Sequence, residues 1–250
     1  MSGHSKWANI KHRKAASDKK KGRIFSRMAK EIMVAAKTGG ADASANPRLR
    51  TALAAARAVN MPNANIDRAV KKGSGELEGV NFEEITYEGY GAGGAAVMAE
   101  CLTDNRNRTA GEIRMIFDRN SGNLAGAGSV AWSFSRKARV MVTGENANED
   151  KLMEIVIDAG AENIEVDGAV AEIFGPPESL EGIMKALDAA AVKYEETGII
   201  RQPQNYIEVK DASAAQQLVR LIEKLEDHDD VQAVYSNFDI PSEIMEKLEQ

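Results

Sequence analysis

The side chains with chemistry to offer near the start of this chain are cations. GHSKWANIKHRK at residues 3–14 runs into a lysine-rich stretch, so that Lys6, Lys11, Arg13, Lys14, Lys19, Lys20, Lys21 and Arg23 stand against one acid, Asp18. Cations strung along a segment neutralise successive phosphates and release condensed counterions. Engaging about six phosphates would give a slope of about −5 in log affinity against log salt. Trp7 lies among them, where an indole either stacks on an exposed base or packs against the following helices. His4 and His12 are without cysteine or carboxylate partners at ligand spacing, so phosphate or base contact, or simple solvation, suits them better than a metal. Arg27 continues the basic series, and Asn63, Asn65, Arg68, Lys71 and Lys72 form a second group further on. The candidate nucleic-acid contacts are therefore residues 6, 7, 11–14, 19–21, 23, 27, 68, 71 and 72 as named.

Other polar clusters carry weaker signals. In Thr103–Thr109, Asp104, Asn105 or Asn107 can cap the helix that follows, while Arg106 and Arg108 are secondary candidates for a phosphate contact. Gly89-Tyr90-Gly91-Ala92-Gly93-Gly94 formally fits G-x-G-x-x-G. The next element reads as a strand rather than a helix, so a hairpin needing positive φ is expected and not a dinucleotide site. Cys101 alternates with Val97 and Ala99 and reads as a buried thiol. Glu226–Asp230 lacks the alternating ligands and glycine of a calcium loop and reads as a solvated turn. No G-x-S-x-G, Walker loop or H-E-x-x-H occurs; a non-enzyme without cofactor is expected.

These residues need a scaffold. Ile24, Phe25, Met28, Ile32 and Ala36 recur at helical spacing, with Gly39-Gly40 as the stop. The cationic residues before Ile24 hold too few apolar positions to bury a face, so an arm or frayed helix is expected there. Asn46-Pro47 reads as N-cap and first helical residue of a second helix, and a third opens after Pro62 and stops at Gly73. The two are separated by a break at Val59-Asn60-Met61, which fits helix-turn-helix spacing and also fits any small bundle. Strand patterns follow at 82–89, 95–102 and 129–134 around a helix at 105–120, then a β-α-β-β-α-β series between 139 and 200, then strand 206–209, helix 212–226 and strand 231–237. The middle series is a ferredoxin-like split unit, and each flank is half of one. The expected fold is α+β in three domains: a basic arm and helical domain over 1–78, and an α+β domain over 79–135 and 203–250. The second ferredoxin-like unit is inserted whole at 136–202.

At roughly 150 residues per domain the 250 residues suit two or three domains. One cysteine excludes a disulfide scaffold, no apolar run reaches the ~18 residues of a transmembrane helix, and cytosol is the expected address. The net charge of −6 conceals a gradient: residues 1–72 carry 17 Lys+Arg against 4 Asp+Glu, whereas 140–250 carry 8 against 25. A basic end on an acidic body points to a polyanion partner for the former. The acidic part should face away from phosphate or meet basic proteins.

GHSKWANIKHRK (3–14), ANPRLRTALAAARAVNMP (45–62), NIDRAVKKGSGE (65–76), YEGYGAGG (87–94), CLTDNRNRT (101–109) and GSVAWSF (128–134) strongly resemble the YebC family, and the similarity extends along the chain. Ala92 stands where the family often has proline in this loop, and Ala43 where proline often precedes the SANP segment. The resemblance implies a helical N-terminal domain with two α+β domains. It also implies a probable transcriptional regulator that binds DNA, or, after the mitochondrial translational-activator branch, a ribosome-associated factor that supports translation through proline-containing stretches. The expectation is a non-enzymatic regulator of gene expression whose partner is DNA or ribosomal RNA, with ribosomal proteins as further partners of the acidic domains and no membrane. A sensor holding a small molecule between ferredoxin-like units is the remaining alternative.

Overall fold

The computed structural model describes residues 18–241 and 243–245, with side chains from Gly22 onward. The chain forms two compact units, Phe134–Gln204 and the flanking stretches that end at Ser133 and resume at Asn205.

The flanking unit opens with three helices, α1 (Asp18–Gly39), α2 (Pro47–Ala58) and α3 (Asn63–Ser74). Ile32, Ala35 and Ala36 of α1 close over Leu49, Ala52 and Ala56 of α2 and Ile66 and Ala69 of α3, with Met61 from the turn between them. Asn46 caps α2 as its sequence suggests, accepting from Leu49 N at 3.0 Å; its amide also donates to Ala35 O and Gly40 O at 2.8 Å each, tying the end of α1 to the start of α2. Helix α1 already runs from Asp18, so of the two expected forms, arm or helix, Lys19, Lys20 and Lys21 take the helix: adding a turn to a helix already nucleated and packed costs little. One expectation needs correction: the stop of α3 is Gly75, at φ 87°, and not Gly73. Gly73 instead lets α1 and α3 approach, because a Cβ there would lie 2.4 Å from Met33 O.

The same unit continues with β1 (Glu83–Tyr90), β2 (Ala96–Thr103), α4 (Arg106–Arg119) and β3 (Asn123–Leu124). It resumes after the insertion, and in its sheet β3, β1 and β2 lie side by side in that order, with a strand of the returning chain beyond β2 and all pairs antiparallel. Residues 129–134 do not form the expected strand. The buried Glu88 carboxylate accepts the N–H groups of Gly128 (2.7 Å), Val130 (2.8 Å) and Ala131 (2.8 Å), so these amides are unavailable to a ladder and the segment turns. The short β3 takes the strand's place beside β1.

In the inserted unit, β4 (Phe134–Thr143), α5 (Glu149–Val156), β5 (Asn163–Asp167), β6 (Val170–Gly175), α6 (Leu180–Ala189) and β7 (Glu196–Pro203) give a sheet of order β5-β6-β4-β7. This is the expected ferredoxin-like arrangement. Ala138, Val140 and Val142 of β4 alternate onto a core shared with Leu152, Val156, Ile183 and Leu187 of the two helices. Strand β4 starts five residues before the expected Arg139.

The returning chain adds β8 (Ile207–Glu208), α7 (Ala212–Glu226), β9 (Val231–Ser236) and β10 (Phe238–Asp239). Among the described residues strand β8 pairs with β10 alone, in parallel, and not with the main sheet as expected; β9 runs antiparallel to β2. Counted from β2, the spatial order β9-β2-β1-β3 is again 4-1-3-2, with the third strand supplied by the preceding hairpin. The fold is α+β, a helical layer followed by two such sheets.

Candidate nucleic-acid interface

The first cations named from sequence, Lys6, Lys11, Arg13 and Lys14, lie outside the described residues, together with Trp7 and His12. Lys19, Lys20 and Lys21 fall in the first turn of α1. From there the helix shows two faces.

Arg23, Arg27 and Lys30 form one stripe at i, i+4 and i+7, and it meets the acidic turn after α7. Arg23 pairs with Asp227, Arg27 donates to the Glu226 carbonyl, and Lys30 Nζ reaches Asp230 Oδ1 at 2.7 Å and Asp229 O at 3.0 Å. From α4, Arg108 Nη2 bonds Asp230 Oδ2 at 2.8 Å and Asp104 Oδ1 at 2.9 Å, and Thr109 Oγ1 adds 2.8 Å to Asp230 Oδ2. Burial acts to raise the Asp230 carboxyl, but the hydrogen bonds from Lys30, Arg108 and Thr109 outweigh it and hold the group well below the usual carboxylate range. Burial also pushes the Arg27 guanidinium down, against the opposing pull of Glu226. Arg23 and Arg108 thus pair with the molecule's own carboxylates, and Arg27 with a backbone carbonyl of the same acidic turn. The turn read as merely solvated is the acceptor site that joins the helical layer to the sheet. The i, i+4, i+7 spacing of the three cations was the available signal for it.

On α3 the outcome is different. Asn63, Asn65, Arg68, Lys71 and Lys72 are all exposed, and among the described residues none of these three cations pairs with a carboxylate. Arg68 and Lys72 rim an open groove of about 230 Å³ between α1 and α3, with Ser26 and Asn65 beside them; Phe25, Ala29, Met33, Met61 and Ala69 form its apolar lining. Arg106 is exposed at the start of α4, where Asn105 provides the cap by accepting from Arg108 N at 3.1 Å.

The remaining motifs are structural. Gly93 and Gly94 take φ of 73° and 78° in the β1–β2 connection, as a hairpin demands. Cys101 is buried and its thiol is pushed up to about 12, chiefly by burial. Glu112, His228 and Asp230 bring potential ligand atoms within 4.8 Å of one another. However, Asp230 is saturated by donors, and His228 Nδ1 accepts from Asp230 N at 3.1 Å, which leaves Nε2 to donate to Glu112 at 2.8 Å. These groups fit a hydrogen-bonded turn better than a metal site.

Fold and surface together define a class: a cationic three-helix layer joined through the Lys30–Asp230 and Arg23–Asp227 pairs to an α+β body that grows acidic toward its C-terminal end. Comparison with known proteins narrows it. Residues 5–76 match the TACO1/YebC protein N-terminal domain and residues 82–238 the TACO1/YebC second and third domain, and the chain belongs to this family. It is 52% identical over 248 residues to a protein of Syntrophobacter fumaroxidans, covering 99% of this chain and all of that one. It is 49% identical to one of Dictyoglomus turgidum over the same shares; both are named "Probable transcriptional regulatory protein". The crystal structure of a conserved hypothetical protein from Aquifex aeolicus superposes with a TM-score of 0.85 at 43% identity, covering 91% of this chain and 94% of that one. No helix among the described residues is long and apolar enough to cross a membrane.

Proposed function

We propose that this protein is a non-enzymatic regulator of gene expression that acts in the cytoplasm and binds nucleic acid through its N-terminal cations and the exposed face of α3. One observation carries the reading: after the ion pairs to the 226–230 turn are formed, Arg68, Lys71 and Lys72 still face solvent on one helix, in a segment with 17 basic residues against 4 acidic. The names of the relatives favour DNA and transcription. A second reading, a translation factor on ribosomal RNA, is favoured by the groove beside Arg68 and Lys72, since folded RNA offers unpaired bases that duplex DNA does not. On either target the acidic C-terminal half is repelled by phosphate and faces away from it, or meets basic proteins.

The test is a salt titration of binding by the full chain, followed by fluorescence anisotropy. Replacing Lys19, Lys20 and Lys21 with glutamine should flatten the slope of log affinity against log salt by about two to three units. The triple change Arg68→Gln, Lys71→Gln, Lys72→Gln should do the same. Unchanged slopes in both variants would refute the assignment of these cations. Crosslinking in cells, with bound DNA and RNA both sequenced, separates a promoter-binding protein from a ribosomal one.

A further inference from the structure

The groove between α1 and α3 combines features that a bare cationic surface does not need. It has an apolar interior with one aromatic side, Phe25, and a floor at the buried Met61. Its rim holds a hydroxyl, an amide and two cations, Ser26, Asn65, Arg68 and Lys72. At about 230 Å³ it falls below the roughly 300–1,000 Å³ of pockets for drug-sized ligands. A flat single-ring or two-ring group suits it. Arg68 and Lys72 lie one helical turn apart on α3, so both charges project along the same edge of the groove.

We propose that this groove receives one unstacked base of a folded RNA. Phe25 provides the stacking wall, the Asn65 amide meets the polar edge of the base, and Arg68 and Lys72 hold the phosphates on either side. The proposal rests on the reading above that the basic layer is the nucleic-acid side, and deepens it by naming the substrate class. Duplex DNA keeps its bases stacked and shows the protein only edges and phosphates, whereas RNA loops and bulges display whole base faces. An apolar groove beside cations therefore matches the loop and not the duplex.

The experiment uses the full chain, an RNA hairpin with 2-aminopurine in its loop, a blunt RNA duplex of the same stem sequence, and a DNA hairpin of the same loop. The RNA hairpin should bind about tenfold tighter than the duplex, the scale of one base–aromatic stack, and its emission should be quenched at saturation. Phe25→Ala should remove the preference. Because Phe25 also supports the helical core, the double variant Ser26→Leu, Asn65→Leu tests the same point at two exposed positions. It should abolish the preference, so that hairpin and duplex bind alike. Equal binding of hairpin and duplex by the wild type, or a preference that survives in the double variant, overturns the groove as a base site while the cationic reading stands. A DNA hairpin bound as tightly as the RNA overturns RNA as the source of the base. Failure of every probe to bind overturns both this proposal and the function on which it rests.

Discussion

Asp230→Asn tests most directly how the helical layer is held. The side chain is 6% exposed and takes hydrogen bonds from Lys30, Arg108 and Thr109 at 2.7–2.8 Å. Asparagine keeps the shape but removes the charge, and it turns one acceptor into a donor that faces cations. Arg108 is half exposed and retains Asp104, so water and its neighbour compensate much of its loss; the Lys30 side chain is only 15% exposed and does not recover in the same way. Breaking one partner of such a buried pair costs about 3 kcal/mol, the lower end of the usual range. In a domain of this size that lowers the melting temperature by roughly 6–12 °C. Urea unfolding at pH 7 measures it, and a double-mutant cycle with Lys30→Met isolates the pair. The pH dependence has a definite sign. Asp230 is depressed in the folded state, so its contribution is complete above the unfolded carboxyl value near about 4 and is lost as pH falls further, through the folded value. The stability difference between wild type and variant should be flat from pH 7 to 5 and shrink below about pH 4. A destabilisation under about 0.5 kcal/mol, or no coupling in the cycle, would refute the account of this turn as the lock.

Three further outcomes follow from individual contacts. Gly73→Ala places a methyl 2.4 Å from the Met33 carbonyl, so α1 and α3 must separate; thermal unfolding should show a loss of about 1–3 kcal/mol. Glu88→Gln removes the charge that accepts three backbone amides, which should cost about 2 kcal/mol. Hydrogen exchange at Gly128, Val130 and Ala131 should accelerate with it, and the emission of the adjacent Trp132, 71% exposed, reports any movement of the loop. Cys101, with its thiol raised to about 12, should resist alkylation at pH 8 in the native protein and react fully in denaturant; native reaction at a free-thiol rate would contradict its burial.

Local chemistry made much of the scaffold legible. Asn46-Pro47 announced a helix start because a side-chain acceptor and a residue without an N–H satisfy orphan amides within one turn. Asp211 does the same for α7, accepting from Ala214 N at 2.7 Å. The inserted unit could be read because each element carries its own periodicity and its strands all close on neighbours within the segment. The misplaced strand at 129–134 had a suitable apolar pattern, but the pattern says nothing about where its amides find acceptors. Gly73 and Gly75 were likewise indistinguishable in the text of the chain: one has a left-handed backbone and the other a carbonyl pressed against it.

The chain itself determines that a strongly basic end is joined to an acidic one, that the first helices expose cations and asparagines, and that the body is α+β with a complete unit set inside another. These follow from composition and from periods of two and 3.6 residues, which act over short distances along the backbone. Which cations remain available for a partner was decided only by tertiary structure. Arg23, Arg27 and Lys30 find their acceptors 199 to 204 residues away, and charge pairing across that separation leaves no local trace until the α7–β9 turn is brought against α1. Packing of the three helices on one another placed Phe25 of α1 across from Asn65, Arg68 and Lys72 of α3. A groove is a property of two surfaces, so neither helix could reveal it alone.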